Sequence, residues 1–167
     1  MTEQANPQEA PLFSIEKLYT KDLSIEVPGA PEIFLERDAP EVSIELQTQA
    51  RALGEEAFEV VLTVTVKAKI GEKNVFLVEV GQGGIFRIKN VPAENVEALL
   101  FVACPNILFP YSREIISMAT SRAGFAPVIL QPVNFEALYA ARAQQEQQAQ
   151  AAAEPVQVAG ESPATLQ

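Results

Sequence analysis

No histidine occurs in the 167 residues. That absence removes Ser-His-Asp and Cys-His catalysis and most metal ligation. One cysteine is present, Cys104. It allows no internal disulfide and no Cys-rich zinc site, a usage that fits a reducing compartment. Cys104 sits at an apolar helix end and reads as packing rather than as a nucleophile. Basic side chains are scarce: 12 Lys and Arg against 22 Asp and Glu, for a formal net charge of −10 and a pI near 4.5. Such a chain repels nucleic-acid phosphates and favours a partner with a basic patch. Long apolar runs are also missing. The longest, from Ala98 to Cys104, is far too short to span a bilayer. No basic region precedes an apolar stretch near Met1, so no secretory signal is expected and a cytoplasmic location is.

What is present is apolar enough for a real core. Hydrophobic residues make up 48% of the chain, which suits one compact domain with disordered length at its ends. The acid is concentrated early, with ten acidic and three basic side chains in residues 1–45. Residues 1–11, with Pro7 and Pro11, read as a disordered lead-in, and 12–143 as the folded domain.

Period-two alternation marks four strands. In the first, Phe13, Ile15, Tyr19, Leu23, Ile25 and Val27 take odd positions, with Ser14, Glu16, Thr20, Asp22, Ser24 and Glu26 between them. Pro28 and Gly29 end it, and a proline-rich connection reaches to Pro40. The second sets Val42, Ile44 and Leu46 against Glu41, Ser43 and Glu45. The third puts Phe58, Val60, Leu62, Val64, Val66, Ala68 and Ile70 on one side. A hairpin turn at 71–74 leads to the fourth, whose dry side is Phe76, Val78, Val80, Phe86 and Ile88. Each such side chain, fully buried, contributes roughly 1.5–3 kcal/mol of transfer free energy.

Gly81, Gly83 and Gly84 look only superficially like a phosphate-cradling loop. They lie within a strand and another strand segment follows, so a β-bulge is the expected reading. Acids are plentiful, but no local arrangement points to a carboxylate pair, and the chain is not expected to be an enzyme.

Helices follow the strands. One is expected from Pro92, with Val96, Leu99, Leu100 and Ala103 at helical spacing, stopping at Pro105. Pro105 and Pro110 argue against regular helix between them. A second runs from about Tyr111 to Ala123, with Gly124 as its C-cap. Asn134 can cap a third, with Val133 and Leu138 as a staple. Residues 144–167 are Gln/Ala-rich and then Pro-containing, and read as a fraying helix passing into a flexible tail. Strands first and helices second predict an α+β fold: a four-stranded antiparallel, Greek-key-like sheet with C-terminal helices packed on one face.

Projected onto one sheet, the outward face carries Asp22, Glu26, Glu41, Glu45, Glu59 and Glu79, with Leu77 among them. An apolar side chain in an acidic face can be a docking point or merely a stray leucine.

Four stretches carry a resemblance. They are Leu18-Tyr-Thr-Lys-Asp-Leu-Ser, Gly81-Gln-Gly-Gly-Ile-Phe, Cys104-Pro-Asn-Ile-Leu-Phe-Pro-Tyr-Ser-Arg-Glu and Pro132-Val-Asn-Phe-Glu-Ala-Leu. In this order, over about residues 12–142, they closely resemble the SecB family of bacterial export chaperones. The resemblance implies a homotetramer built as a dimer of dimers, with no cofactor and no ATP use. It implies a holdase that binds unfolded precursor proteins in apolar grooves, keeps them translocation-competent and delivers them to the SecA translocation ATPase. The SecA-contacting positions match Asp22, Glu26, Leu77 and Glu79, on the face that alternation selects independently. The matching client-binding candidates are Phe34, Val42, Ile44, Leu46, Phe109 and Tyr111. Asp38 stands where relatives often carry an aromatic. The alternative is a SecB-like chaperone dedicated to one partner, such as an antitoxin.

Overall fold

The computed structural model describes residues 10–153. The expected lead-in therefore lies outside the described residues except for its last two, as does the tail from residue 154. The chain divides into two compact units, Met1–Phe135 and Glu136–Gln167.

The first unit holds four strands, β1 (Leu12–Glu26), β2 (Glu41–Ala52), β3 (Ala57–Ile70) and β4 (Lys73–Lys89). They form one antiparallel sheet in the order β1-β4-β3-β2. Three hairpin-linked strands with the remaining one returning beside β4 is the Greek-key order. The return is made by residues 27–40, which include a 3₁₀ turn at Glu32–Leu35. β3 and β4 are central and follow the alternation closely. Val60, Leu62, Val64, Val66, Val78, Val80 and Phe86 are wholly buried on the inner face. Gly71, at φ +55°, makes the tight β3–β4 turn, a conformation glycine adopts without a Cβ penalty.

A helical run from Ala93 to Arg122 covers the inner face. It comprises α1 (Ala93–Ala98), a π-helical turn (Leu99–Ala103) and α2 (Cys104–Arg122). The expected break at 105–110 is absent. Pro105 falls at the junction between the π turn and α2, where the helical hydrogen-bond register changes, and the wide π turn supplies the transition. Pro110 lies inside α2. Pro110 and Asn106 are both exposed, so water can serve the carbonyl that Pro110 leaves without a donor.

By length and composition this run could cross a membrane. Its apolar stripe of Leu100, Cys104, Leu108, Ile116 and Ala119 is instead buried with the core of the sheet. Gly124, at φ +91°, ends it as expected. The amide of Phe125 donates to Thr120 O at 3.2 Å, the Schellman closure. Thr120 Oγ1 in turn accepts from the Val128 amide at 3.0 Å, which ties down the extended segment carrying the buried Leu130.

The second unit is described as helix α3, whose bounds are Phe135–Ala153. It begins directly after Asn134, the expected cap position.

Candidate functional site: an acidic outer face and an uncovered inner edge

The sheet register decides which β1 side chains face out. Phe13 pairs with Ile88 and Ile15 with Phe86, so odd residues begin on the inner face. A register shift between Ile15 and Lys17 reverses the sense. Leu18 then pairs with Gly84 and Thr20 with Gln82 on the inner face, while Tyr19 pairs with Gly83 on the outer. A second shift, between Thr20 and Asp22, restores the original sense. This corrects two expectations. Tyr19 is not on the dry side, and the irregularities belong to β1 rather than to the glycines of β4.

Beyond the second bulge, Asp22 pairs with Gly81, Ser24 with Glu79 and Glu26 with Leu77. Asp22, Glu26, Leu77 and Glu79 thus share the outer face of two adjacent strands, as alternation predicted. Asp22 and Glu26 are exposed, and Leu77 and Glu79 are half-buried. Thr65 Oγ1 donates to Glu79 Oε2 at 2.9 Å. Lys67, opposite Leu77 on β3, pairs with Glu45 Oε1 at 3.0 Å.

Farther along the same face lies a buried carboxylate that sequence reasoning counted only as one more outward acid. Glu59 is 5% exposed. It accepts from the Tyr19 hydroxyl, from Lys21 Nζ at 2.8 Å and from Arg51 Nε at 2.5 Å. The bond from Lys21, then those from Tyr19 and Arg51, hold its carboxyl down at about 2. Burial first, then the bond to Glu59, pushes the Tyr19 phenol up to about 12.

The client candidates fall in three places. Val42, Ile44 and Leu46 continue the inner-face rows onto edge strand β2, opposite Ala68, Val66 and Val64. Val42 and Ile44 are 45% and 44% exposed, so the helical cover stops short of them, and Leu46 is half-buried. Phe34 is 49% exposed and packs at 5.2 Å on Phe125, which packs at 5.0 Å on Phe76. Phe109 is buried edge-on to Phe135 at 5.9 Å and helps line a cleft of about 570 Å³ with Arg113, Ser117, Ile129, Pro132 and Val133. Tyr111 is on α2, 44% exposed, outside that lining. Phe125 and the exposed Ile129 were missed. An apolar residue directly after a C-cap glycine is the signal that could have found Phe125.

Residues 6–146 match the sequence model of the family described as preprotein translocase subunit SecB. The chain belongs to the SecB family. It is 67% identical over 138 residues to the protein-export protein SecB of Dechloromonas aromatica, covering 83% of this chain and 91% of that one. It is 59% identical to the protein-export protein SecB of Methylobacillus flagellatus, covering 90% and 96%. Among solved structures, the SecB-like chaperone of Mycobacterium tuberculosis, in complex with a ChAD peptide from an antitoxin, is similar with a TM-score of 0.61 at 17% identity. That likeness covers 72% of this chain and 90% of the other, and it is one of fold. The α+β sheet-and-helix arrangement is therefore a SecB fold.

Proposed function

We propose that this SecB chain is a holdase. It binds unfolded precursor proteins, keeps them translocation-competent and passes them to the SecA translocation ATPase. It works in the cytoplasm as a homotetramer, a dimer of dimers, with no cofactor and no turnover of its own. The observation that supports this reading is a difference in character between two surfaces. Acidic Asp22, Glu26 and Glu79 share the outer face of β1 and β4 with Leu77. Uncovered Val42 and Ile44, with Phe34, supply apolar surface elsewhere. Carboxylates steer a basic partner and Leu77 adds apolar contact, while apolar burial is non-directional and accepts many unfolded sequences.

Titration calorimetry of the purified oligomer tests it, using one chemically unfolded precursor with its folded form as control, and then SecA. Binding of the unfolded form alone is expected. Glu79→Lys is expected to abolish SecA binding and leave precursor binding intact. Equal binding of both precursor forms, or of neither, would overturn the holdase reading. Capture of one polypeptide among several unfolded ones would point to a dedicated chaperone instead.

A further inference from the structure

Glu59 stands on β3, separated from β1 by the whole width of β4. Two β1 side chains nonetheless reach it, Tyr19 and Lys21. They can do so because the outer face of β4 is bare there: Gly81 and Gly83 pair with Asp22 and Tyr19. A Cβ on Gly83 would lie 2.7 Å from the Tyr19 ring, so the glycine is the floor on which the ring rests. Arg51 reaches Glu59 from the other side, as its direct cross-strand partner on β2. One buried carboxylate therefore stitches β1 and β2 to β3.

Lys21 is the extra residue of the second β1 bulge, the one left between the Thr20 and Asp22 pairings. A strand slipped by one residue turns every side chain to the other face. Without that bulge, Leu23 and Ile25 would face outward, and Asp22 and Glu26 would turn in beneath the sheet.

We propose that Glu59 is the positioning residue of the acidic docking face: by holding Lys21 and Tyr19 across the glycine-cleared strip of β4, it locks the bulge that turns Asp22 and Glu26 outward beside Leu77 and Glu79. The proposal rests on the docking reading above and names the residue that sets its geometry. Glu59 also offsets the charges of Lys21 and Arg51, which would otherwise stand uncompensated.

The test uses Glu59→Gln in the full chain, with amide exchange of residues 17–26, SecA affinity and unfolded-precursor affinity measured together. Loss of a charge-assisted bond to a buried group predicts about tenfold faster exchange in β1 and about tenfold weaker SecA binding. Precursor binding, on other surfaces, stays within about twofold. Lys21→Arg, which keeps the bond, should exchange like the parent, whereas Lys21→Met should follow Glu59→Gln.

Unchanged β1 exchange in Glu59→Gln overturns the proposal, as does equal loss of precursor and SecA binding. Asp22→Asn separates the two readings, since it should weaken SecA binding with exchange unaltered. If it leaves SecA binding intact, the docking reading fails while β1 exchange still decides the role of Glu59. Should Glu59→Gln fail to fold, Tyr19→Phe removes a single bond, and the same exchange and SecA readouts decide.

Discussion

Glu26 and Leu77 stand directly opposite each other across the β1–β4 pair, an exposed carboxylate beside a half-buried apolar side chain. On the docking reading, their contributions to partner binding should differ in kind. An exposed charge is worth about 0.2–1 kcal/mol and is screened by salt, whereas burying a leucine side chain is worth about 1.5–3 kcal/mol and is not. Glu26→Ala should therefore weaken SecA binding at low salt and become indistinguishable from the parent at high salt. Leu77→Ala should weaken it at both. Calorimetry at two ionic strengths checks this, and a salt-dependent loss in Leu77→Ala would contradict it.

Acid should expose the contribution of Glu59. Its carboxyl titrates at about 2 in the folded chain, held down chiefly by Lys21, against about 4.3 in an unfolded one. A depressed carboxyl stabilises the fold above the unfolded value, and that stabilisation is lost as pH falls toward 2. Tyr19 has the opposite sense: raised to about 12, it contributes below about 10 and is lost as pH rises through 12. Urea unfolding of the parent and of Glu59→Gln should show a stability gap that is widest near neutral pH. The gap should narrow below about pH 4.3. A gap that stays constant down to pH 2.5 would mean the carboxylate charge is not what stabilises the cluster.

Gly83→Ala should destabilise the chain by about 1–3 kcal/mol, the usual cost of overpacking, because the new Cβ would sit 2.7 Å from the Tyr19 ring. Gly54→Ala is the control. Nothing lies within 4 Å of its Cβ position, and it should stay within about 0.5 kcal/mol of the parent. Denaturant midpoints at constant m-value make the comparison.

Much of this architecture is legible from residue pattern because β3 and β4 alternate closely from Val60 to Ala68 and from Phe76 to Ile88, which leaves one consistent inner set on the central strands. β1 misleads for a physical reason. Its two bulges reverse the alternation and then restore it, so Phe13 and Leu23 obey the odd-in rule while Tyr19 between them breaks it. The helix misleads because proline rules are local. They correctly deny Pro105 an N–H to donate, but they cannot see the π turn at Leu99–Ala103 that carries the helix past it. The outward placement of Asp22 and Glu26 was readable because both lie beyond the second bulge of β1, where the simple pattern holds, and that of Leu77 and Glu79 because β4 keeps the pattern there. Glu59 was not readable as special, because its three donors come from two other strands and none is near in sequence except Arg51.

Cys104 should be inert in the folded chain. It is wholly buried, and burial pushes its thiol up to about 12, so almost none is thiolate at neutral pH. Alkylation by iodoacetamide is expected only in denaturant. Cys104→Ser should cost about 1–3 kcal/mol by placing a hydroxyl at an apolar helix–sheet contact. Labelling of the native protein at a rate matching a free thiol would show that the helical cover opens readily there.

Substitutions at the client candidates should divide according to burial rather than residue type. Val42 and Ile44 are nearly half exposed on edge strand β2, so Val42→Ser and Ile44→Ser remove little that the fold uses. They should lower affinity for an unfolded precursor while shifting stability by less than about 1 kcal/mol. Phe109 is 8% exposed and packed on Phe135, so Phe109→Ala should cost about 3–5 kcal/mol of stability. Any affinity it loses must then be judged against its folded fraction. Thermal unfolding run beside precursor titration separates the two classes. If the β2 variants unfold early while precursor affinity is unchanged, that edge belongs to the core or to an interface between copies, and the client surface must be sought at Phe34 and Phe125 instead.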